Sequence, residues 1–557
     1  KRFQSVDDIL ADLAKIEKGV PTTEKVLPSV PATSRQITVS FNPRKLVIPA
    51  VAVLVVVAAA VAFLIFKSPK SAKQVLSKKN KMLVVLPFEN LGPPADEYFS
   101  DGMTDEITNR LSALYGLDVI SRATAVQYKK TGKTIRQIRS ELNVDCILAG
   151  TVRWDKSASG KGRTRVTPQL IRATDDTQIW TKTYEQPLED IFQVQSSIAE
   201  EVTKQLDITL LEPERKALDA RPTENIKAYE IYLRSRDEYD RATFARDLQG
   251  INRAIELLEK AVQLDPNFVL AYLSLSYAHS SLYMSGLDQT KERLAKSKAA
   301  VDKALELQPD SPEAKRALAY YYYRGFRDYD KSLELFEAVR KASPNLSPSL
   351  LGYIQRRQGK WDESLATLES LFKLDPRNYS LAYDISSSYV TLRRFAEAEA
   401  WVDRSLALNP ESASSISAKA LLVYLRGNPE EAEAILKARP PGWETDANWT
   451  DYAMAERKFS LLLDRMNSPS FYASPGKELD FAGLCFAMKD LSCMRSHAEA
   501  ARAIYEKLSR ENPEVPENYA SLGLAYAYLG RKYDALRAGN QAIGLLPISK
   551  DAFSGPE

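Results

Sequence analysis

"PEVPENYASLGLAYAYLGRKYDALRAGNQAIGLLP", residues 513–547, is bounded by two prolines 34 residues apart. Its small and aromatic residues, Leu522-Gly523, Tyr526, Ala535 and Ala542, recur at positions that let two paired helices approach closely, and Pro547 stops the second helix. The same 34-residue interval separates Pro376 from Pro410, where Tyr389 and Ala398 match but Ser386 stands in place of the glycine. Pro266, Pro309 and Pro344 are spaced by 43 and 35 residues, so those units carry insertions. Residues 441–475, with "PPGW" and "NSPSFYASPG", interrupt the pattern as a linker. Residues 222–440 and 476–550 therefore predict an all-α solenoid of five to seven helical hairpins, in two blocks.

A 34-residue period with these signature positions resembles the tetratricopeptide (TPR) repeat. The resemblance implies protein or peptide partners. "YYYY", Tyr320, Tyr321, Tyr322 and Tyr323, bears on where they bind. Successive helical residues point about 100° apart, so four tyrosines cannot all face a core. At least one is expected to emerge into a peptide groove, where an apolar ring with a polar tip suits recognition.

Residues 82–215 alternate strand and helix. "MLVVLPF" suits a buried strand, "DEYFSDGMTDEITNRLSALY" has helical periodicity, and "LDVISR" reads as a strand. "TIRQIRSELN" predicts a helix, "VDCILAGTVRW" a strand, and "RVTPQLIRATDDTQIWTKTYE" a hairpin turning at Asp175-Asp176. "LEDIFQVQSSIAEEVTKQL" predicts a closing amphipathic helix. The ordered blocks "VLPFENLG", "EYFSDGMTDEITNRLS", "VISR", "ILAGTVR", "QLIRATDDTQIW" and "DIFQVQSSIAEEV" resemble the TolB amino-terminal-like (FlgO-like) domain of bacterial multidomain regulators. That resemblance implies a non-catalytic α/β module.

Residues 46–66, "LVIPAVAVLVVVAAAVAFLIF", run 21 residues without a charge. Such a helix is about 31 Å long, enough to span a bilayer, and Pro49 falls in its tolerant first turn. A lysine-rich spacer follows over 67–81. Residues 20–43 form a Pro/Thr/Ser-rich juxtamembrane linker, in which Thr22, Thr23, Ser29, Thr33, Ser34, Thr38 and Ser40 are candidate phosphorylation sites.

"KRFQSVDDILADLAKIEKG", residues 1–19, places Ile9, Leu10, Leu13 and Ile16 at helical spacing behind a Ser5/Asp8 capping box. It resembles the last helix of bacterial serine/threonine protein kinases. Kinase tail, linker, single span, TolB-like domain and TPR array then follow the order of bacterial receptor-type kinases. The glycine-rich loop, lysine strand, His-Arg-Asp loop and Asp-Phe-Gly of a kinase are absent from these residues, so ATP and Mg would belong to a domain upstream of Lys1. The same modules also follow adenylate cyclase domains and winged-helix regulators, and a stand-alone TPR adaptor is a further alternative. A kinase needs cytosolic ATP, which places the amino side of the span in the cytoplasm and residues 82–550 outside the inner membrane. The six lysines after the span, against four basic residues before it, pull mildly the other way.

The remaining chemistry is sparse. Lysine and arginine total 76 against 73 acidic residues, a net charge of +3, which gives no bulk attraction to nucleic acid. Cys146, Cys485 and Cys493 have no metal spacing and read as buried or incidental thiols, and only His279 and His497 are present. "TGKT", Thr131–Thr134, ends like a phosphate-binding loop but has Gln127 where the first glycine is required. "SGKGR", Ser159–Arg163, reads as a hairpin tip. No catalytic, cofactor or metal residue is assigned.

Overall fold

Leu83, Val84 and Val85 are all fully buried, as a strand covered on both faces requires. This strand, β1 (Lys81–Val85), runs parallel to β3 (Leu117–Val119) on one side and β4 (Cys146–Asp155) on the other. β4 continues antiparallel into β5 (Arg163–Arg172), which pairs with β6 (Thr177–Thr181) and β7 (Tyr184–Pro187), while the short β2 (Glu89–Asn90) lies along β4. The sheet order is β3-β1-β4-β5-β6. The turn expected at Asp175-Asp176 joins β5 to β6, with Asp176 in the left-handed conformation at φ 59°. The computed structural model describes residues 80–155, 162–245, 248–343, 346, 348–438, 453–467 and 476–555. The readings made for 1–19, 20–43, 46–66 and nearly all of 67–81 lie outside the described residues, among which no helix is long and apolar enough to cross a membrane.

Alternation in β1 divides the two sheet faces. Val84 points with Ile147 toward helix α3 (Ile135–Leu142), whose Ile138 and Leu142 are buried. Leu83 and Val85 point toward α1 (Glu97–Ser112) and α4 (Ile191–Gln205). A short α2 (Arg122–Ala125) follows β3, capped by Ser121. The "TGKT" stretch is a loop whose Thr134 forms a capping box with Gln137 at the start of α3, while Lys133 is paired with Glu141 at 2.8 Å.

After a connecting helix α5 (Glu212–Asp219) the chain becomes a succession of helical pairs. They are α6–α7 (Ile226–Ala245, Leu248–Leu264), α8–α9 (Val269–Met284, Lys291–Leu307), α10–α11 (Pro312–Tyr321, Tyr329–Ala342) and α12–α13 (Ser349–Arg357, Trp361–Leu374). α14–α15 (Tyr379–Thr391, Phe395–Leu408) and α16–α17 (Ala413–Leu425, Pro429–Lys437) continue them. α18 (Phe459–Met466) precedes α19–α20 (Lys477–Ala487, Leu491–Glu511) and α21–α22 (Pro516–Tyr528, Lys532–Leu545). Eight pairs are present among the described residues, more than the five to seven expected, because several units lack the full signature. The pairing chemistry is nevertheless consistent. A Cβ on Gly523 would stand 3.2 Å from Ala535 O, so α21 and α22 approach at a small residue. At the equivalent place Ser386 donates its hydroxyl to Ala398 O across the α14–α15 pair at 2.8 Å.

Three readings change. Residues 453–466, inside the expected 441–475 linker, join the array: Ala453, Leu462 and Met466 are fully buried against Val423, Leu436 and Leu484. α18, eight residues long, is too short to show its period in the sequence. Cys485 and Cys493, read as thiols, are joined in a disulfide, because the α19–α20 turn brings residues eight apart together; Cys146 is a buried free thiol. Finally, residues 82–215 and 222–440 do not have separate cores. One cluster runs from Leu83 through α1 and α4 into Tyr229, Phe268 and Ala300.

That shared core is organised by α1. Gly102 faces α6 so closely that a Cβ there would lie 2.5 Å from Leu233 Cδ2. Arg110, buried, donates to Ser196 Oγ at 3.2 Å, to Ala220 O at 3.2 Å and to Leu218 O. Asp105, also buried, meets Arg122 at 2.6 Å and Arg236 of α6 at 3.3 Å. Burial pushes its carboxyl up to about 6 even though the two arginines oppose that shift. We expect Gly102→Val to cost about 1–3 kcal/mol through overpacking, read as a lower melting temperature; an unchanged value would contradict the close approach.

His279 makes a second prediction. It is buried on α8 and accepts at Nδ1 from Arg293 at 3.0 Å, so its imidazole is neutral. Burial, with the Arg293 charge beside it, lowers its pKa to about 4. The unfolded chain binds a proton near 6.5, so between these values the unfolded state holds more protons and stability falls as pH falls. Relative to His279→Asn, the parent should lose on the order of 2 kcal/mol between pH 7 and pH 5, measured by urea unfolding of both. Parallel pH profiles would refute it.

Candidate functional site

The four tyrosines sit where α10 gives way to a single π-helical turn, Tyr322–Phe326, closed by Arg327 in the left-handed conformation at φ 51°. The wide turn adds a residue to the helical cycle and rotates the side chains that follow it. Tyr321 is buried against Tyr283, Leu294 and Val515. Tyr323 is buried beside Tyr329. Tyr320 and Tyr322 are half-buried, and Arg324 lies over the rings of Tyr277 at 4.0 Å and Tyr320 at 4.7 Å. None of the four emerges fully; Phe326, which was not singled out, is the exposed ring at 49 %.

What the tyrosine run does is line a cleft against residues far along the chain. Tyr283, Phe326 and Arg327 face Glu514, Val515 and Glu517, with Arg327 ion-paired to Glu517. An adjoining open hollow of about 440 Å³ is bounded by Leu294, Tyr321, Phe326 and Lys550. At the other end of the cleft the segment after α22 is inserted. Asp551 is fully buried there. Its carboxylate accepts from Tyr329 Oη at 2.5 Å and from Arg357 Nη1 at 3.0 Å, and it also accepts from the backbone N–H groups of Phe553 and Ser554. Ala552 N donates to Arg357 O at 2.7 Å, and Ser554 Oγ accepts from Arg357. The Phe553 ring stacks on Arg356 at 4.2 Å and packs beside Trp361. Desolvation would favour a neutral Arg357, but Tyr323, Asp551 and Tyr329 around it raise its pKa, so the guanidinium stays charged.

Sequence reasoning missed Arg356, Arg357, Trp361 and Asp551. "YIQRRQGKW" carried the signal, two adjacent arginines that both turn out to be buried. A second junction ties the sheet module to the array: Asp375 accepts from Ser121 Oγ at 2.5 Å and Thr124 Oγ1 at 2.7 Å, and Arg377 pairs with Glu141 at 3.2 Å. Cys485, Cys493 and His497 bring ligand-type atoms within 4.8 Å of one another, but the two sulfurs are bonded together and His497 Nδ1 is engaged with Glu478 at 2.7 Å.

A tetratricopeptide repeat profile matches residues 289–347, 350–413 and 383–442, which run from α9 to α17. The chain contains tetratricopeptide repeats. Among curated proteins, it is 29% identical over 239 residues to putative adenylate cyclase 3 of Rhizobium meliloti (strain 1021), covering 42% of this chain and 39% of that one. It is 24% identical over 218 residues to the transcriptional regulator HilA of Salmonella typhimurium (strain LT2), covering 37% of each. The chain thus spans less than two fifths of the length of these relatives. Among solved structures, a human IFIT1 dimer with PPP-AAAA aligns at 17% identity and a TM-score of 0.35, over 64% of this chain and 79% of that one. YrrB, a TPR protein with an unusual peptide-binding site, aligns at 16% identity and a TM-score of 0.23, over 37% and 96%.

Among the described residues, Arg357 is the one cation bonded to the buried Asp551 carboxylate. Arg357→Ala should release residues 551–554, since a buried unpaired carboxylate is strongly unfavourable. Hydrogen exchange at Ala552, Phe553 and Ser554 should speed up by about tenfold or more while α21 and α22 stay protected. Unchanged protection at all three would show that the arginine does not hold them.

Proposed function

We propose that this chain is the non-catalytic, partner-binding region of a membrane-anchored bacterial signalling protein, with its TPR array capturing segments of other proteins. The observation that carries this reading is the cleft at Tyr323, Tyr329, Arg357 and Trp361, which already holds a short acidic-aromatic segment through a buried carboxylate and a packed ring. Residues 46–66 would provide the span, with the amino side in the cytoplasm and the TolB-like module and array outside the inner membrane. The array is not a nucleic-acid surface in this reading, given a net charge of +3.

In this reading the array serves a catalytic output, for which two observations offer candidates. Residues 1–19 support a serine/threonine kinase parent, for which the Ser and Thr residues of 20–43, Thr22 to Ser40, would be phosphorylation sites beside the active domain. The similarity to an adenylate cyclase supports a cyclase output on the same modules. The coding sequence upstream of Lys1 decides between these outputs.

Partner binding itself is tested by a photocrosslinking residue at Phe326, exposed at the cleft, against one at Tyr533, exposed on α22 away from it. A discrete crosslinked protein at position 326 and not at 533 is the expected result in cells. Identical products at both positions would remove the cleft from partner binding.

A further inference from the structure

Residues 551–554, Asp-Ala-Phe-Ser, are bound in the cleft as a ligand would be. The acidic side chain is fully buried yet fully bonded, to one guanidinium, one phenol and two backbone N–H groups of its own turn. The main chain contributes one bond through Ala552 N. Two residues on, the aromatic ring lies on Arg356 and Arg357 at 4.2 and 4.7 Å. A buried carboxylate with its own shaped receptor is costly to build for chain closure alone, because an apolar contact would serve. Arg356 adds an independent sign. Arg356 is buried (8 % exposed), and its Nε and Nη1 have no hydrogen-bond acceptor among the described residues. The occupant therefore leaves two buried donors unfilled at the ring of Phe553.

We infer that the Tyr329–Arg357–Trp361 pocket is a receptor for an acidic-x-aromatic turn on a partner protein, and that residues 551–554 are its internal competitor. The inference rests on the partner-binding reading and names the chemistry that reading leaves open. The partner segment starts a helical turn with Asp, whose carboxylate caps its own N–H groups and enters the Arg357/Tyr329 pocket. It places an aromatic ring two residues later on the paired guanidinium planes, and it offers a further acceptor to Arg356. The hollow bounded by Leu294, Tyr321 and Phe326 can take apolar residues flanking that turn. Being tethered, the internal copy acts at high effective concentration, so the intact chain holds the pocket closed until a better segment displaces it.

The probe is a fluorescently labelled peptide of residues 548–557, acetylated and amidated, followed by anisotropy. Intact chain is compared with Asp551→Asn/Phe553→Ala, which empties the pocket without changing its walls, and with a chain ending at residue 547. Emptied chains should bind the peptide at least about tenfold more tightly than the intact chain. Peptide with Asn at 551 or Ala at 553 should lose that binding, and so should Arg357→Ala on the emptied background. Emptied chains that keep their circular dichroism but do not bind the peptide would overturn the inference, leaving the segment as a clasp. Unfolding of both emptied chains would overturn it too, because a displaceable occupant cannot be required for folding. Neither negative result touches partner capture elsewhere along the cleft, which the crosslinks at Phe326 report separately.

Discussion

The contact of α1 with α6 at Gly102 and Leu233 is the constraint from which the rest of the structure follows. α1 is inserted between a sheet and a helical array, and eleven of its sixteen residues are buried, including Asp105, Glu106 and Arg110. A helix covered on nearly all sides can tolerate those charges only if each is bonded in place. Arg236, Arg122, Ser196 and the carbonyl groups of Leu218 and Ala220 supply the bonds, and they come from both sides of the junction. Sheet and array are thereby fixed in one orientation.

Once the first helical pair is fixed, the array's own geometry determines what it meets. Small residues and serine hydroxyls at the pair contacts, Gly352, Ser364, Ser386 and Gly523, keep successive helices close. The array bends back so that Asp375 reaches Ser121 and Thr124 at the edge of the sheet. Further along, Val515 returns to Tyr283, Leu294 and Tyr321. The first of these contacts closes over a buried carboxylate that would otherwise lack partners, and the second closes an apolar cluster. Burial raises the pKa of Asp375 despite its three hydrogen-bond donors, which marks how dry that junction is.

The candidate site arises from the same bending. Tyr323, Tyr329, Arg357 and Trp361 belong to two consecutive helical pairs, but Asp551 and Phe553 come from about 190 residues further along. The π-helical turn at Tyr322–Phe326 sits where these walls meet, and it explains why two of the tyrosines turn inward while Phe326 faces out. A surface that binds its own chain with a buried carboxylate and a cation-stacked ring has the chemistry to bind another.

By itself the sequence determined the local elements, because they depend on short-range pattern. The 34-residue proline interval and the Leu-Gly, Tyr, Ala positions specify paired helices; the apolar run at β1 and the Asp175-Asp176 turn specify strands and a hairpin. It was silent wherever partners are distant in the chain. The helix at 459–466 is anchored by contacts to Leu436 and Leu484 rather than by its own period. The Cys485–Cys493 bond needs the α19–α20 turn to bring its sulfurs together. Which tyrosines face the core was decided by one π-helical turn and by the return of Val515. The Arg357–Asp551 pair was decided by the curvature accumulated over the five helical pairs from α12 to α22, a sum of small rotations that no window of sequence contains.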